Sequence, residues 1–529
     1  MLIKHFFLLL IPISVFFSGI ISAQDTSKSL AFKNNRPGRN YVSFYQPDLY
    51  YTLWKQFELN KEAQVGNAMA QHELGIRYLT GKDITADTVK GAYWIKKAAE
   101  QKLTAAEYNY GILLINGLGL DWNPYEAFKY FYYAAQDGMP QAEFVLGLLY
   151  TDNLIIKRDM TEAYKWVQKS ANQNYIPAKE TLAKFTKYAP TANDTVPKLG
   201  NNSKNYLSKG QNMQDSNNEK SPQSSSGLVY IDFDMISDST QTIKEADLVE
   251  DIKNSPNIDL ENSIKTSKDN TSLIDSTCIS IFTEAADYGC PEALNILGYY
   301  VQNGIHFLKN PIGAAEFYLR SSKNDSRKGS ILLYDLIKEK NFFTILKKEV
   351  DKKNPTAMYV WYGLQSTGFD KQITDGDAFN LLQKSAKMTD LNSILELGQA
   401  YFKGKYIKQD KAKGVEIWKI AIDKGSKEAR IRMEIANLYG EIEIKEKNDS
   451  FIFLKGAEEK GSLLAELSIA DFYEKGIIVP RERAKAVQYF RSAAVRGSIF
   501  AYNELKRLYD ELRPKDFETD FFSSTSFHP

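Results

Sequence analysis

A period of 36 residues constrains this chain more than any other feature of its sequence. The stretch from Ala465 to Ala501, AELSIADFYEKGIIVPRERAKAVQYFRSAAVRGSIFA, carries small or apolar residues at Ala465, Ile469, Ala470, Tyr473, Gly476, Ala486, Tyr489, Ala493, Ala494 and Gly497. Apolar positions three and four apart between Ala465 and Tyr473 predict a helix. Gly476 ends it, because glycine enters the left-handed conformation of a helix C-terminus without a Cβ clash. Pro480 sits in the loop that follows, where its fixed φ is harmless. A second helix then places Ala486, Tyr489, Ala493 and Ala494 on one face, and Gly497 closes it. The paired alanines let the two helix axes approach toward the lower end of the roughly 8–10 Å packing range.

Counting in steps of 36 recovers the unit at Ala70, Ala106, Ala142, Ser393, Ala429 and Ala465, with copies in another phase at Ala293 and Ala357. The loop glycine recurs as Gly81, Gly117, Gly304, Gly368, Gly404, Gly440 and Gly476, and Asn153 takes its place once. A small residue near the end of the second helix recurs as Ala98, Ala134, Ser170, Ser321, Ser385, Ala421, Ala457 and Ala493. Asp87, Asn123, Asp159, Asn310 and Asp410 stand where a side-chain oxygen can cap the second helix. The fold class is all-α, an α-solenoid of about ten antiparallel helix pairs.

The runs HELGIRYLTGKDITADTVKGAYWIKKAAEQ (72–101) and LELGQAYFKGKYIKQDKAKGVEIWKIAIDKG (395–425) resemble Sel1-like repeats, relatives of the tetratricopeptide repeat. The resemblance covers most of residues 54–187 and 275–512. It implies a superhelix that works as a scaffold binding a protein or peptide partner through its concave face. In tetratricopeptide-like pairs the exposed side of the first helix lines that face. By register this gives His72, Tyr108 and Phe144 as a ladder 36 residues apart, with Tyr359 at the same offset and Tyr299, Gln399 and Asp471 one turn on. Aromatic anchors often dominate interface energy. The other reading of these rings is packing between neighbouring first helices.

Lys+Arg of 67 against Asp+Glu of 66 leaves a formal charge of +1, which argues against a nucleic-acid partner or a polybasic membrane contact. Residues 1–23 have the form of a secretory signal peptide: Lys4 and His5, an apolar run from Phe6 to Ile21, then Ser22-Ala23 as a small-residue cleavage point. The expected location is therefore exported, in a periplasm or cell envelope or secreted, with no membrane span after cleavage; an uncleaved anchor is the other reading of the apolar run.

Residues 24–47 are polar and extended in expectation, and residues 48–189 form an N-terminal array. From 190 to 274 the composition turns to Asn, Ser, Lys, Asp, Thr and Gln, which predicts a disordered insert. Its one apolar island, Leu228 to Ile236, suits a strand, a docking motif or an unstructured patch. A C-terminal array occupies 275–512, ending in a capping helix from Ala501, and 513–529 is a flexible tail in expectation. The insert sits either in the loop of one continuous solenoid or between two separate arrays. The unit at Gly329 is only 28 residues long and lacks the loop glycine, which predicts a local change of pitch.

Signs of catalysis are weak. The four histidines, His5, His72, His306 and His528, share no metal-ligand spacing. Gly75 to Lys82 (GIRYLTGK) has one residue too many for a phosphate loop and belongs to the repeat signature. The expectation is no catalytic site, no cofactor and no metal. A second function class is a cell-envelope protein that binds peptidoglycan or regulates an envelope enzyme.

Overall fold

Three first helices, Ala68–Thr80, Leu391–Lys403 and Leu463–Lys475, start at a residue whose side chain caps them and stop at a left-handed glycine. The computed structural model describes residues 56–182, 185, 276–442, 446–517 and 521. Among these residues the chain forms helices and no strand, with one isolated bridge between Ser326 and Ser498. The expected signal peptide, N-terminal segment and insert lie outside the described residues. What is described falls into two compact units, one of residues 56–185 with 512–521 and the other of residues 276–511.

In the N-terminal unit, α1 (Gln56–Gln64) precedes the pairs α2 (Ala68–Thr80) with α3 (Thr88–Ala99), α4 (Thr104–Asn116) with α5 (Pro124–Gln136), and α6 (Pro140–Leu149) with α7 (Met160–Asn172). It continues into α8 (Ile176–Leu182). The C-terminal unit opens with α9 (Ser276–Asp287). Its pairs are α10 (Pro291–Asn303) with α11 (Pro311–Lys323), α12 (Arg327–Ile337) with α13 (Phe342–Asp351), and α14 (Pro355–Ser366) with α15 (Asp375–Lys387). They continue as α16 (Leu391–Lys403) with α17 (Lys411–Asp423), α18 (Lys427–Leu438) with α19 (Lys447–Glu459), and α20 (Leu463–Lys475) with α21 (Arg483–Val495), before α22 (Ile499–Asp510).

The expected caps form. Asp87, Asn123, Asp159, Asn310 and Asp410 each accept a hydrogen bond from a backbone N–H in the first turn of the second helix. Gly81, Gly404 and Gly476 take φ of 72°, 76° and 71° at the ends of α2, α16 and α20. The small residues near the second-helix ends, Ala98 through Ala493, are all buried. Where serine replaces alanine there, its hydroxyl is also used: Ser170 donates to the Pro140 carbonyl at 2.6 Å and Ser385 to that of Pro355 at 2.8 Å.

In five pairs the helices also approach closely at a glycine in the first helix, which faces a large side chain twenty residues on. A Cβ on Gly75 would stand 2.7 Å from Ile95, on Gly111 2.8 Å from Phe131, on Gly147 2.7 Å from Val167, on Gly298 2.5 Å from Tyr318 and on Gly398 2.5 Å from Trp418. The Trp418 indole N–H then donates to the Leu395 carbonyl at 3.2 Å. The short repeat uses the device differently. With α12 and α13 only 11 and 10 residues long, α11 packs against α14 as well as α12, and Leu319 of α11 occupies the hollow over Gly363.

The described part of the C-terminal tail departs from the expected flexible segment. Arg513 donates to the carbonyls of Leu154 and Ile155, and Phe517 and Phe521 are buried in the N-terminal unit.

Gly398→Ala should destabilise the chain by about 1–3 kcal/mol through overpacking against Trp418. Gly456→Ala, in the exposed face of α19 with no atom within 4 Å of the new methyl, should instead gain roughly 0.4–1 kcal/mol. Urea unfolding of both variants checks the contrast, and shifts of one sign would overturn this account of the helix crossing.

Candidate protein-binding surfaces

The first helices carry the residues that the repeat register marks as a groove, and the structure divides them. His72, Tyr108, Phe144 and Tyr359 are buried. The His72 ring, on α2, pairs through Nε2 with the Asn109 side-chain amide of α4 at 2.7 Å, and burial lowers its pKa to about 4. Tyr108 meets Phe131 edge-on at 5.9 Å, and Phe144 meets Tyr175 at 5.6 Å. Tyr359 lies 5.6 Å from the Lys323 ammonium. These four rings are therefore spent between neighbouring helices, and none is presented as a groove contact. His72 reaches the following repeat, Phe144 the residue that precedes α8, Tyr108 its own second helix, and Tyr359 the earlier α11. Tyr299, Gln399 and Asp471 remain half-buried on α10, α16 and α20. Asp471 accepts from the Tyr439 hydroxyl and from Lys475 at 2.7 Å.

In the C-terminal unit charged side chains join helices that lie several pairs apart. Arg320 of α11 donates through Nε to Glu428 of α18 at 3.1 Å and through Nη2 to the Ala286 carbonyl at 2.8 Å. Lys323 reaches Glu396 of α16 at 2.6 Å, and Arg432 approaches the same carboxylate at 3.5 Å. Arg496 donates to Glu292 at 2.8 and 2.9 Å and to the Gly461 carbonyl at 2.6 Å, and pairs with the fully buried Glu466. Backbone follows: the Arg327 N–H donates to the Gly497 carbonyl at 3.0 Å, and the Phe500 N–H to Asp325 at 3.0 Å. Burial pushes the Glu396 carboxyl up, but Lys323 and Arg432 outweigh that and hold it below its usual range. Glu292 is held down in the same way by Arg496. These charges close the unit upon itself, and sequence reasoning missed them because an isolated Glu or Arg on a predicted helix defaults to a solvated face.

A second pattern recurs thirty residues apart, joining the start of a first helix to the end of its second. Gln101 donates to Gln71 at 2.7 Å, Gln173 to Glu143 at 2.7 Å, and Arg496 to Glu466. The same spacing in the second repeat brings together Glu107 and Asp137, two carboxylates. Glu107 is buried, and its Oε2 has no hydrogen-bond partner. Burial first, and Asp137 second, raise its pKa to about 7, against a smaller opposing pull from Lys102.

Glu107 therefore keeps its proton in the folded chain up to about pH 7 but in the unfolded chain only up to about 4.5. The folded state binds more protons across that window, so its stability falls as pH rises through it. Glu107→Gln removes the ionisation at constant size. The variant should exceed the parent by roughly 1–3 kcal/mol at pH 8 and by little at pH 4, measured by urea unfolding. An equal difference at both pH values would sink the assignment.

Among the described residues no group of three or more His, Cys, Asp or Glu side chains is arranged to hold a metal ion. Cys290 is a buried free thiol, pushed up by burial and by Glu292, and its Sγ lies 3.2 Å from the Glu292 carboxylate. No described helix is long and apolar enough to cross a membrane.

The profile described as Sel1 repeat matches residues 68–103, 104–139, 140–175, 291–326, 392–426 and 463–498. The helix pairs α12–α13, α14–α15 and α18–α19 fall between these matches. Among solved structures, the chain is similar to c5321, described as a protective antigen present in uropathogenic Escherichia coli strains and displaying an SLR fold. That likeness has 21% identity over 88% of this chain and 92% of that one, with a TM-score of 0.29. It is also similar to a Sel1 repeat protein from Oxalobacter formigenes at 30% identity, over 24% of this chain and 96% of that one, with a TM-score of 0.23.

Proposed function

Because the chain belongs to the Sel1 repeat family, we propose that it is an exported, non-catalytic scaffold whose first-helix face mediates protein–protein interaction. The use of the repeated positions carries this reading. Residues that recur at the 36-residue period go to the helix crossing, the caps and the turn, as at Gly398, Asp410 and Gly404. Part of the chemistry that varies from repeat to repeat is left on the outside. On the first helices that outside includes the half-buried Tyr299, Gln399 and Asp471, a ring, an amide and a carboxylate. Such groups suit a polypeptide partner, which presents donors, acceptors and side chains. Export rests on the apolar run from Phe6 to Ile21 and the Ser22-Ala23 step before Gln24.

Two measurements check the proposal. A photoreactive phenylalanine analogue placed at Tyr299 and, separately, at Gln399 should give an adduct with one and the same protein in cells. The same analogue at Ile452, exposed on the second-helix side, should not. Identical adducts at all three positions, or none, would reject the first-helix face as the contact. Mass spectrometry of the protein recovered from its cellular compartment should find a mature N-terminus at Gln24, and an intact residue 1 would reject export by cleavage.

A further inference from the structure

Helix α5 has an apolar face too many. Its inner side, with Ala127, Phe131 and Ala134, is consumed by its own repeat. Its outer side stacks Tyr125, Phe128 and Tyr132 at spacings of three and four. Thirty-six residues earlier the same positions hold Val89, Ala92 and Lys96, and thirty-six later Thr161, Tyr164 and Gln168. Neither of these second helices carries three rings there, so the repeat itself does not require them.

The neighbouring loop is also unusual. Asn153 stands where other repeats have the loop glycine, and α6 ends after 10 residues where α2 and α4 run for 13. The Asp152 carboxylate instead accepts from the Leu154 N–H at 3.2 Å and shapes a turn. That turn leaves the carbonyls of Leu154 and Ile155 at the end of the aromatic stripe.

The C-terminal segment of the chain fills the trough so formed. Arg513 donates through Nη1 to the Ile155 carbonyl at 2.8 Å and through Nη2 to the Leu154 carbonyl at 2.6 Å, with its guanidinium 5.3 Å from the Tyr125 ring. Phe517 meets Tyr125 edge-on at 4.9 Å. Phe521 meets Phe128 at 5.7 Å and Tyr132 at 5.1 Å. The anchors fall at 513, 517 and 521, one every four residues, and both phenylalanines are buried. The inner packing of α5, where Phe131 meets Tyr108, does not involve the occupying segment.

We propose that this trough is a peptide-docking site with the recognition pattern Arg-x-x-x-Phe-x-x-x-Phe, held in cis by the chain's own C-terminal segment until a partner protein's segment of the same chemistry takes its place. The two carbonyls select a planar, multidentate cation. The stripe of rings selects aromatic side chains one turn apart.

The test uses the full-length chain carrying R513A, F517A and F521A, which empties the trough, and a labelled synthetic peptide of residues 511–529. The peptide should bind this variant at one-to-one stoichiometry and bind the parent chain at least tenfold more weakly. Adding Tyr132→Glu to the emptied variant, or replacing both phenylalanines of the peptide by alanine, should abolish binding. Equal binding to parent and variant, or binding that survives Tyr132→Glu, would overturn the assignment of the trough. A folded variant that takes up no peptide would overturn it as well. A variant that loses its cooperative melt would show the segment to be a permanent part of the fold. A parent chain that sediments as a dimer dissociated by the three substitutions would assign the trough to a second copy instead.

Discussion

Two helices can share a buried seam only as closely as their bulkiest crossing point permits, and here that point is a first-helix glycine beneath a large side chain twenty residues on. Ile95, Phe131, Val167, Tyr318 and Trp418 differ in size and shape, yet each rests on a bare stretch of first-helix backbone. The missing Cβ, rather than complementarity between particular side chains, sets the approach. Interiors are packed at crystal-like density, so one added methyl at such a contact has nowhere to go. Where the glycine is absent the pair solves the problem another way. In α20 the position is Ile469, and Tyr489, twenty residues on, stacks against Tyr473 at 5.8 Å.

With the crossing fixed, the joint between the start of the first helix and the end of the second is free to vary in chemistry. At the spacing of thirty residues the chain places two amides, an acid and an amide, two acids, or an acid and a guanidinium. Each choice has a different electrostatic consequence on the same backbone. Glu143 accepts from Gln173 and pairs with Lys169, whereas Glu107 beside Asp137 is left to hold a proton. The Glu466–Arg496 joint goes further, because Arg496 also reaches Glu292, more than two hundred residues away in sequence. A joint within one repeat thus becomes a clamp between the two ends of the C-terminal unit.

What could be read from the sequence was what depends on near neighbours. The caps at Asp87 and Asn310 and the turn at Gly476 are decided within four residues of chain, so spacing alone exposes them. The groove ladder failed for His72, Tyr108, Phe144 and Tyr359 because a helical register states which side a residue faces but not whether another helix covers that side. The ion pairs of the C-terminal unit were invisible for a related reason: Arg320 and Glu428 lie 108 residues apart, and nothing local to either marks it as buried. The tail was read as flexible because its rings lie beyond the last repeat and follow no repeat register, and the surface that buries Phe517 and Phe521 lies more than 350 residues earlier.

The closed charge network limits where the C-terminal unit can bind anything. Removing one member of a buried pair leaves the other charge uncompensated, at roughly 3–5 kcal/mol. A partner that wedged between α11 and α18 would have to satisfy Arg320 and Glu428 separately, each with geometry at least as good as they now give one another. The same holds for Arg496, which has carboxylates on two sides and a carbonyl on a third. A ligand would thus spend most of its interaction energy restoring what it broke. Surfaces that keep their polar groups hydrated carry no such penalty, and the half-buried Tyr299, Gln399 and Asp471 lie outside the charge network. The ion pairs therefore act on binding by exclusion: they remove the interior of the unit as a site.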